Sequence, residues 1–165
     1  RTCALPICKL NSLSYAPFRE GQSPLEAIFP SVEQIEDDLR LLAEKTHTIR
    51  TYASGDGTMK FIPGLAKKYG LNLIQGAWLG YAEGVVENRK EIEALVAAAN
   101  TYPDVIKRVM VGNEVLLRGE MEPEKLVEFI REVKGRVKQP VSYADVWSMY
   151  MKYPQLINHH LPVGS

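Results

Sequence analysis

Short apolar runs alternate along this chain with stretches whose apolar residues recur at helical spacing. The clearest run is residues 105–111, where mostly β-branched and apolar side chains lie between Pro103 and Gly112 and predict a buried strand. Similar runs, bounded by turn-forming residues, predict further strands at residues 13–18, 46–52, 71–79 and 141–144. The pattern therefore predicts five strands, with room for a helix after each of the first four.

The stretches between these strands carry the periodicity of amphipathic helices. Ser31 and Gln34 form a capping-box signature at the start of the first helix, and Gly70 marks the end of the second, at residues 58–69. Pro123 stands in the first turn of the fourth helix. The apolar faces of helices one, three and four are Ile35, Leu39, Leu42 and Ala43; Ile92, Leu95, Val96 and Ala99; and Leu126, Phe129, Ile130, Val133 and Val137.

This alternation predicts a parallel sheet with right-handed helical crossovers, for which two α/β architectures are open. A doubly wound sheet would place a glycine-rich phosphate loop after its first strand, whereas residues 16–27 contain a single glycine. The predicted fold class is therefore the TIM (β/α)8 barrel, which needs about 250 residues, and this chain holds its first four to five βα units, a half-barrel.

The predicted barrel part covers residues 13–158. A non-domain segment, residues 1–12, precedes it, and a divergent tail, residues 159–165, follows it. Residues 2–7 match one translated reading frame of a sequencing adapter, so the first residues are expected not to be native.

Composition and charge narrow the class of partner. The 165 residues are 45% hydrophobic and 24% charged, which is ordinary for a globular protein, and 20 basic residues balance 20 acidic ones. No net positive field attracts nucleic acid or an anionic membrane surface, so we expect a neutral partner. The longest uncharged run, residues 69–82, is too short to span a bilayer, and no signal-peptide pattern is present.

The sequence predicts neither a metal site nor a cofactor. Cys3 and Cys8 would close too small a loop to stabilise a fold, and His159 and His160 have no third ligand at metal spacing. A Ser-His-Asp arrangement with supporting context is also absent from the sequence.

Gly112, Asn113 and Glu114 follow the clearest strand and are the first candidates for a site. Ligands bind at the carboxyl ends of parallel strands, because the loops there are free to vary while the opposite face holds the fold. For Glu114 the alternative is a solvated charge or a cap of the next helix. Its place after a buried strand, beside an amide, favours catalysis.

The ends of all five predicted strands, read together, resemble glycoside hydrolase family 17. The resemblance covers about residues 13–158 and is closest to the bacterial branch of that family. The motifs that carry it are Ser14-Tyr15-Ala16-Pro17, Ile49-Arg50-Thr51-Tyr52, Trp78-Leu79-Gly80, Val111-Gly112-Asn113-Glu114-Val115-Leu116 and Tyr143-Ala144-Asp145-Val146-Trp147.

The resemblance implies a (β/α)8 fold and retaining hydrolysis of β-1,3-glucans. It implies a general acid glutamate after strand four, which is Glu114 here, and a nucleophilic glutamate after strand seven. It also suggests the cell envelope or the extracellular space as the location. The substrate partner would be a β-glucan oligosaccharide or polysaccharide.

Retaining chemistry needs two carboxyl groups about 5 to 5.5 Å apart, one to protonate the leaving oxygen and one to attack the anomeric carbon. Glu114 supplies the first, and Asn113 beside it is placed to hydrogen-bond the sugar 2-hydroxyl. No glutamate follows Asp145, so we expect the chain alone to be inactive. The alternatives are a fragment of a glucan transglycosylase and a non-catalytic sugar-binding half-barrel.

Further candidates for substrate binding lie at other strand ends. Arg50 matches an active-site arginine of the family, and in this chain it should reach solvent or pair with Glu114. Asp145 either bonds a sugar hydroxyl or caps the next segment. Aromatic rings at these ends stack on pyranose rings or belong to the core; Tyr15, Tyr52 and Trp147 are the favoured members, followed by Tyr81 and Tyr150, with Trp78 last.

A half-barrel also has two open sheet edges. Strands one and five would present unpaired backbone groups, so the isolated chain is expected to self-associate through them.

Overall fold

A computed structural model describes residues 8–80 and 85–160 of the chain. Within these residues strands and helices alternate. The strands are β1 (Leu10–Ser14), β2 (Thr46–Arg50), β3 (Asn72–Ala77), β4 (Ile106–Asn113) and β5 (Val141–Ala144). The helices are α1 (Val32–Lys45), α2 (Ile62–Lys68, preceded by a 3-10 turn at Met59–Phe61), α3 (Val85–Thr101), α4 (Pro123–Lys134), α5 (Trp147–Lys152) and α6 (Gln155–His160).

The five strands form one parallel sheet in chain order, β1-β2-β3-β4-β5. Each strand is joined to the next by a helical crossover, and the sheet curls into a half-barrel. The predicted fold class is confirmed. All carboxyl ends of the strands consequently lie at one edge of the sheet. The described segments that follow them are called loops 1 to 5 after the strands: residues 15–31, 51–58, 78–80, 114–122 and 145–146.

The core lies between the convex face of the sheet and the helices. Ile49, Leu73 and Val109 point from three neighbouring strands into it, and Ile35 and Leu39 of α1 are fully buried against them. Burying such side chains contributes about 1.5–3 kcal/mol each, which is what holds the helices on the sheet. Among the described residues, no helix is long and apolar enough to cross a membrane.

The predicted helix signals are confirmed where the structure describes them. Ser31 Oγ accepts the backbone N–H of Gln34 at 3.2 Å, and Gln34 Oε1 accepts that of Ser31 at 3.0 Å, so the capping box starts α1. Gly70, at a φ of +68°, follows α2 as its predicted stop. Pro123 begins α4 as predicted.

Strand one differs from its predicted position. It runs from Leu10 to Ser14, and Leu10 and Ser12 pair with Thr46 and Thr48, so the predicted domain start at residue 13 falls inside a strand. The predicted apolar run at residues 13–18 leaves the sheet after Tyr15, whose N–H makes a last bond to Arg50 O at 2.8 Å. Pro17 has no N–H with which to continue the ladder.

Strand β4 contains a bulge just before the candidate catalytic residues. Met110 pairs with Ser142 and Asn113 with Ala144, so three steps along β4 correspond to two along β5. Gly112 carries the irregularity at a φ of +85°, and Glu114 follows at +52°. The left-handed region costs a glutamate about 1–3 kcal/mol, and such strain is typical of functional sites.

Candidate active site

A cavity of about 590 Å³ opens at the carboxyl edge of the sheet. Loops 1 and 2 and the ends of β3 and β4 form its walls, which are mostly apolar and aromatic. This size and character are typical of small-molecule sites. The lining residues are Ala16, Phe18, Pro24, Leu25, Phe29, Tyr52, Ala53, Asp56, Met59, Trp78 and Asn113.

Tyr52 and Asn113 of the cavity lining are joined through Arg50. Arg50 Nη2 donates to Asn113 Oδ1 at 2.7 Å, and the guanidinium lies 4.9 Å from the centre of the Tyr52 ring. Arg50 therefore pairs with Asn113 and not with Glu114, because its side chain reaches across β3 to the end of β4. Asn113 Oδ1 accepts this bond, which leaves its amide N–H groups to face a ligand.

Glu114 lies at the carboxyl end of β4 and is exposed. Its N–H donates to Ala144 O at 2.7 Å and its carbonyl accepts from Arg118 N at 2.9 Å, so the backbone of this residue is fixed on both sides. The strained φ is maintained by these two bonds together with the bulge. The side chain of this exposed residue is thus carried on a fixed backbone.

Arg118 holds loop 4 against the end of β3. Its guanidinium donates to the carbonyl oxygens of Asn113 and of Leu79, the latter at 2.8 Å, and pairs with Glu120 at 2.7 Å. The same group lies 4.5 Å from the centre of the Trp78 ring. Trp78, which the sequence ranked last among the aromatic candidates, therefore lines the cavity with its ring fixed beside a cation.

Glu91 of α3 accepts hydrogen bonds from backbone N–H groups, whereas Arg118 donates to backbone carbonyl oxygens. It is 3% exposed, and its carboxylate accepts the backbone N–H groups of Ser54, Gly55 and Trp78 at 2.9, 2.5 and 2.9 Å. Burial raises the pKa of Glu91, against the opposing effect of these three bonds. No sequence signal separated Glu91 from the other glutamates of this helix.

Loop 1 folds over one side of the cavity. The Phe29 ring packs on Gly57, where a Cβ atom would come within 2.3 Å of the ring, and lies 6.1 Å from the ring of Phe18. Thr58 Oγ1 donates to Pro30 O at 2.8 Å. Loops 1 and 2 are thereby joined, and loop 1 contributes an apolar wall that strand-end motifs did not reveal.

Loop 5 supports loop 4. Asp145 accepts from the Tyr143 hydroxyl, from Val146 N at 2.7 Å and from Leu117 N at 3.4 Å, while the Tyr143 oxygen accepts from Leu116 N at 3.1 Å. Burial, and then the Asp145 carboxylate, raise the pKa of Tyr143. Asp145 therefore connects two loops, and Val146, not Asp145, is the N-cap residue of α5.

The remaining aromatic candidates that the structure describes lie outside the cavity lining. Tyr150 donates to Tyr143 O at 2.9 Å, and Trp147 is 73% exposed at the start of α5; neither lines the cavity. Tyr15 is buried and its hydroxyl donates to Asp38 Oδ2 on α1 at 3.0 Å, away from the cavity lining. Tyr81 lies outside the described residues.

No group of three or more potential metal ligands occurs among residues 8–80 and 85–160. Within that part of the chain the site consists of carboxylate, amide, guanidinium and aromatic groups. Such a set can protonate an ether oxygen, hydrogen-bond hydroxyl groups and stack on the apolar faces of sugar rings.

Fold comparison identifies a solved structure with the same architecture as this chain. The chain superimposes on an endo-laminarinase from Formosa Hel1_33_131 with a TM-score of 0.77 over 92% of this chain and 48% of that one, at 19% identity. The likeness shows the fold: part of a TIM barrel of the kind found in glycoside hydrolases.

Sequence comparison then gives the family. Residues 12–160 match the BtgE/BtgC glycoside hydrolase domain, and the chain belongs to this family. Two curated relatives are glucan 1,3-beta-glucosidases: one from Arthroderma benhamiae is 32% identical over 117 residues, or 70% of this chain, and one from Schizosaccharomyces pombe is 33% identical over 123 residues, or 68%. The chain spans 37% of the length of each.

Proposed function

We propose that this chain is part of a retaining β-1,3-glucan hydrolase in which Glu114 is the general acid and base. The observation that carries the proposal is the position of Glu114: exposed at the carboxyl end of β4, next to Asn113, which lines an aromatic cavity and is held by Arg50. The choice of β-1,3-glucan as substrate is supported by the two curated relatives, which are glucan 1,3-beta-glucosidases, and by the structural neighbour, which is an endo-laminarinase.

In the proposed reaction Glu114 protonates the oxygen of the scissile glycosidic bond as the anomeric carbon becomes cationic. A second carboxylate attacks that carbon from the opposite face, and Glu114 then takes a proton from the incoming water. Asn113 donates an amide N–H to the sugar 2-hydroxyl, a bond that strengthens in the transition state. Tyr52 and Trp78 offer ring faces to neighbouring sugars.

The second carboxylate would come from outside the described residues. The Nε atom of Arg50 is buried and has no hydrogen-bond partner, so the guanidinium retains a donor for an acidic group. Three acidic side chains near this edge are already engaged: Asp145 with Tyr143, Asp56 with Lys90 at 3.1 Å, and Glu120 with Arg118. We therefore propose that the 165-residue chain binds glucan without hydrolysing it.

This proposal includes the finer features of the resemblance. We assign the chain to glycoside hydrolase family 17 and its bacterial branch, although both curated relatives are fungal, with a location at the cell envelope or outside the cell. We also propose that the isolated chain self-associates, because β1 and β5 each have one described neighbour and an open edge. Light scattering on the purified chain measures this: a monomer contradicts it.

The decisive test is Glu114→Gln, which removes the proton and keeps the size of the side chain. In the complete protein that carries this chain, we expect laminarin hydrolysis to fall by about 10²–10⁴ in kcat, the usual contribution of a general acid. Glu124→Gln, an exposed change in the first turn of α4, is the matched control and should leave kcat unchanged.

Two further outcomes separate the alternatives. Calorimetric titration of the 165-residue chain with a laminari-oligosaccharide should show binding without turnover, which is also the behaviour of a sugar-binding half-barrel. If the complete protein also binds without turnover, the sugar-binding alternative is correct. Analysis of products with an oligosaccharide acceptor distinguishes transfer from hydrolysis, and full activity of Glu114→Gln would overturn the assignment of the acid.

A further inference from the structure

Glu91 is a buried charge that takes no part in the proposed chemistry. It projects from α3 beneath the cavity, and the cavity lining does not include it. Its Oε2 atom accepts from Ser54 N in loop 2 and from Trp78 N in loop 3, while Oε1 accepts from Gly55 N. One carboxylate thus binds the backbone of two loops that follow neighbouring strands.

The bonds to Glu91 do more than offset the cost of burying it. Burying a carboxylate costs free energy, and bonding three backbone N–H groups that would otherwise lack acceptors offsets that cost. What the carboxylate adds is geometry, because its two oxygens fix three N–H groups relative to one another. Those N–H groups belong to the segments that carry two cavity-lining aromatic residues, Tyr52 and Trp78.

The surrounding contacts leave loop 2 little freedom to adjust. Ser54 Oγ donates to Gly76 O at 2.6 Å, and Gln75 Nε2 donates to Ser54 Oγ at 2.8 Å. A Cβ atom on Gly76 would lie 2.5 Å from Thr51 O and 2.9 Å from the Cα atom of Tyr52, so the backbone of loop 2 rests directly on β3. Glu91 extends this contact from β3 to loop 3.

We propose that Glu91 is a positioning residue that sets the separation of Tyr52 and Trp78, and thereby the fit of the cavity to successive sugar rings. This inference rests on the proposed function, since it takes the ligand to be a β-1,3-linked glucan. Glu91 acts through backbone N–H groups and does not touch the sugar. Its loss should weaken substrate binding far more than it changes any proton transfer by Glu114.

The first variant is Glu91→Gln, and its matched control is Glu93→Gln two residues away. An amide keeps the volume of Glu91 but replaces one acceptor oxygen with an N–H₂ group, which would face the backbone N–H groups. Glu93 pairs with Arg136 at 2.5 Å on the outer surface of the same helix, so its change tests charge removal without the loops.

Two readouts on the 165-residue chain separate positioning from sugar binding. The first is hydrogen exchange by NMR at the amides of Ser54, Gly55 and Trp78, which we expect to be about tenfold faster or more in Glu91→Gln and unchanged in Glu93→Gln. The second is the Kd for a laminari-oligosaccharide, which we expect Glu91→Gln to raise about tenfold or more.

A second variant approaches the same contact from loop 2. A Cβ atom on Gly55 would lie 2.9 Å from Glu91 Oε1, so Gly55→Ala should displace the carboxyl group without replacing it. Gly135→Ala is the matched control, because its Cβ would meet only ordinary contacts at 3.5 Å and beyond, at the end of α4. Gly55→Ala should reproduce the faster exchange and weaker binding of Glu91→Gln.

General destabilisation is controlled by Leu95→Ala, which shortens a fully buried side chain of α3 that makes none of the hydrogen bonds of Glu91 to the loops. We expect it to lower the melting temperature and leave the three amides and the Kd as they are. If Glu91→Gln and Gly55→Ala bind the oligosaccharide as tightly as the wild type, the positioning role is overturned while the proposed function stands. If the wild type does not bind, the proposed function fails, and unchanged exchange at the three amides would overturn the role of Glu91 separately.

Discussion

At the carboxyl edge of the sheet, backbone groups without sheet partners are satisfied by a negative side chain, Glu91, on one side and by a positive side chain, Arg118, on the other. At the ends of β2 and β3, backbone N–H groups are left without sheet partners, and the Glu91 carboxylate accepts them. At the end of β4 and just after β3, the carbonyl oxygens of Asn113 and Leu79 are left over, and the Arg118 guanidinium donates to them. Buried backbone polar groups must be satisfied, and the sign of the charge follows from which group is left over.

The difference between the sides lies in exposure. Glu91 is buried and its side of the edge ends in a packed wall, on which Phe29 and Tyr52 face the cavity. The Arg118 side is more open, and Glu114 stands on it with its carboxylate in solvent. One side is therefore suited to shape a binding surface, and the other to present a reactive group.

Two glycines test this contrast most strongly, one on each side. Gly76→Ala would push a Cβ atom into the backbone of loop 2, and we expect it to lower the free energy of unfolding by about 3 kcal/mol or more. A Cβ atom on Gly112 would lie 3.4 Å from its nearest neighbour, and alanine is strained at this positive φ. We therefore expect Gly112→Ala to lower the free energy of unfolding by about 1–2 kcal/mol.

Urea denaturation of both glycine variants, with the slope m checked for constancy, measures the two costs. The reverse order would mean that backbone contact does not hold loop 2, and that the bulge is the more demanding feature.

Two buried tyrosines at opposite ends of the edge give an intermediate effect. Tyr143→Phe leaves Leu116 N–H and the Asp145 carboxylate without the hydroxyl that joins them, and should cost about 1–3 kcal/mol. Tyr15→Phe removes one bond to Asp38, which keeps its ion pair with Arg19 at 2.7 Å, and should cost about 0.5–1 kcal/mol. Thermal denaturation of both variants is the measurement, and equal losses would contradict the greater dependence of loop 4 on its support.

The smallest effect expected concerns two glutamates of α3, whose contributions to the free energy of unfolding should change with pH in opposite directions. Burial raises the pKa of Glu91 above the usual 4.5, so the folded state holds this proton more tightly and stability from this group falls as pH rises. The pairing with Arg136 lowers the pKa of Glu93, so its contribution is lost as pH falls.

The unfolding midpoints of the wild type, Glu91→Gln and Glu93→Gln should be compared from about pH 7 down to about 3, because the contribution of Glu91 changes above the usual pKa of 4.5 and that of Glu93 changes below it. The advantage of the wild type over Glu91→Gln should grow as the pH falls, and its advantage over Glu93→Gln should shrink. A parallel response of both variants would show that the buried position of Glu91 has no electrostatic consequence.

The parts of the fold that the sequence predicted are those set by local chemistry. The capping box at Ser31, the stop at Gly70 and the β-branched run of β4 each depend on residues close in sequence. The prediction placed β1 too late in the chain. Leu10–Ser14 is a mostly polar edge strand that forms by pairing with β2, which its composition does not indicate. Its neighbour, the apolar segment after Leu13, has the better strand composition but contains a proline.

The residues that the sequence singled out and the structure brings together lie at strand ends. Arg50 and Asn113 are the last residues of β2 and β4, and Tyr52 lies two residues beyond β2. The Arg50 partner could not be foreseen because it depends on how far a side chain reaches across β3. Glu91 left no signal because its role depends on backbone groups contributed by two loops distant in sequence.

The bulge in β4 has a consequence for how this segment can change in evolution or by design. Side chains on a regular strand alternate between the two faces, so removing the one extra residue between Met110 and Asn113 would exchange the directions of every side chain beyond it. Length changes are therefore far more harmful here than substitutions. A designer transferring Asn113 and Glu114 to another barrel would have to move the irregular segment with them, since the motif without its extra residue would aim at the wrong face.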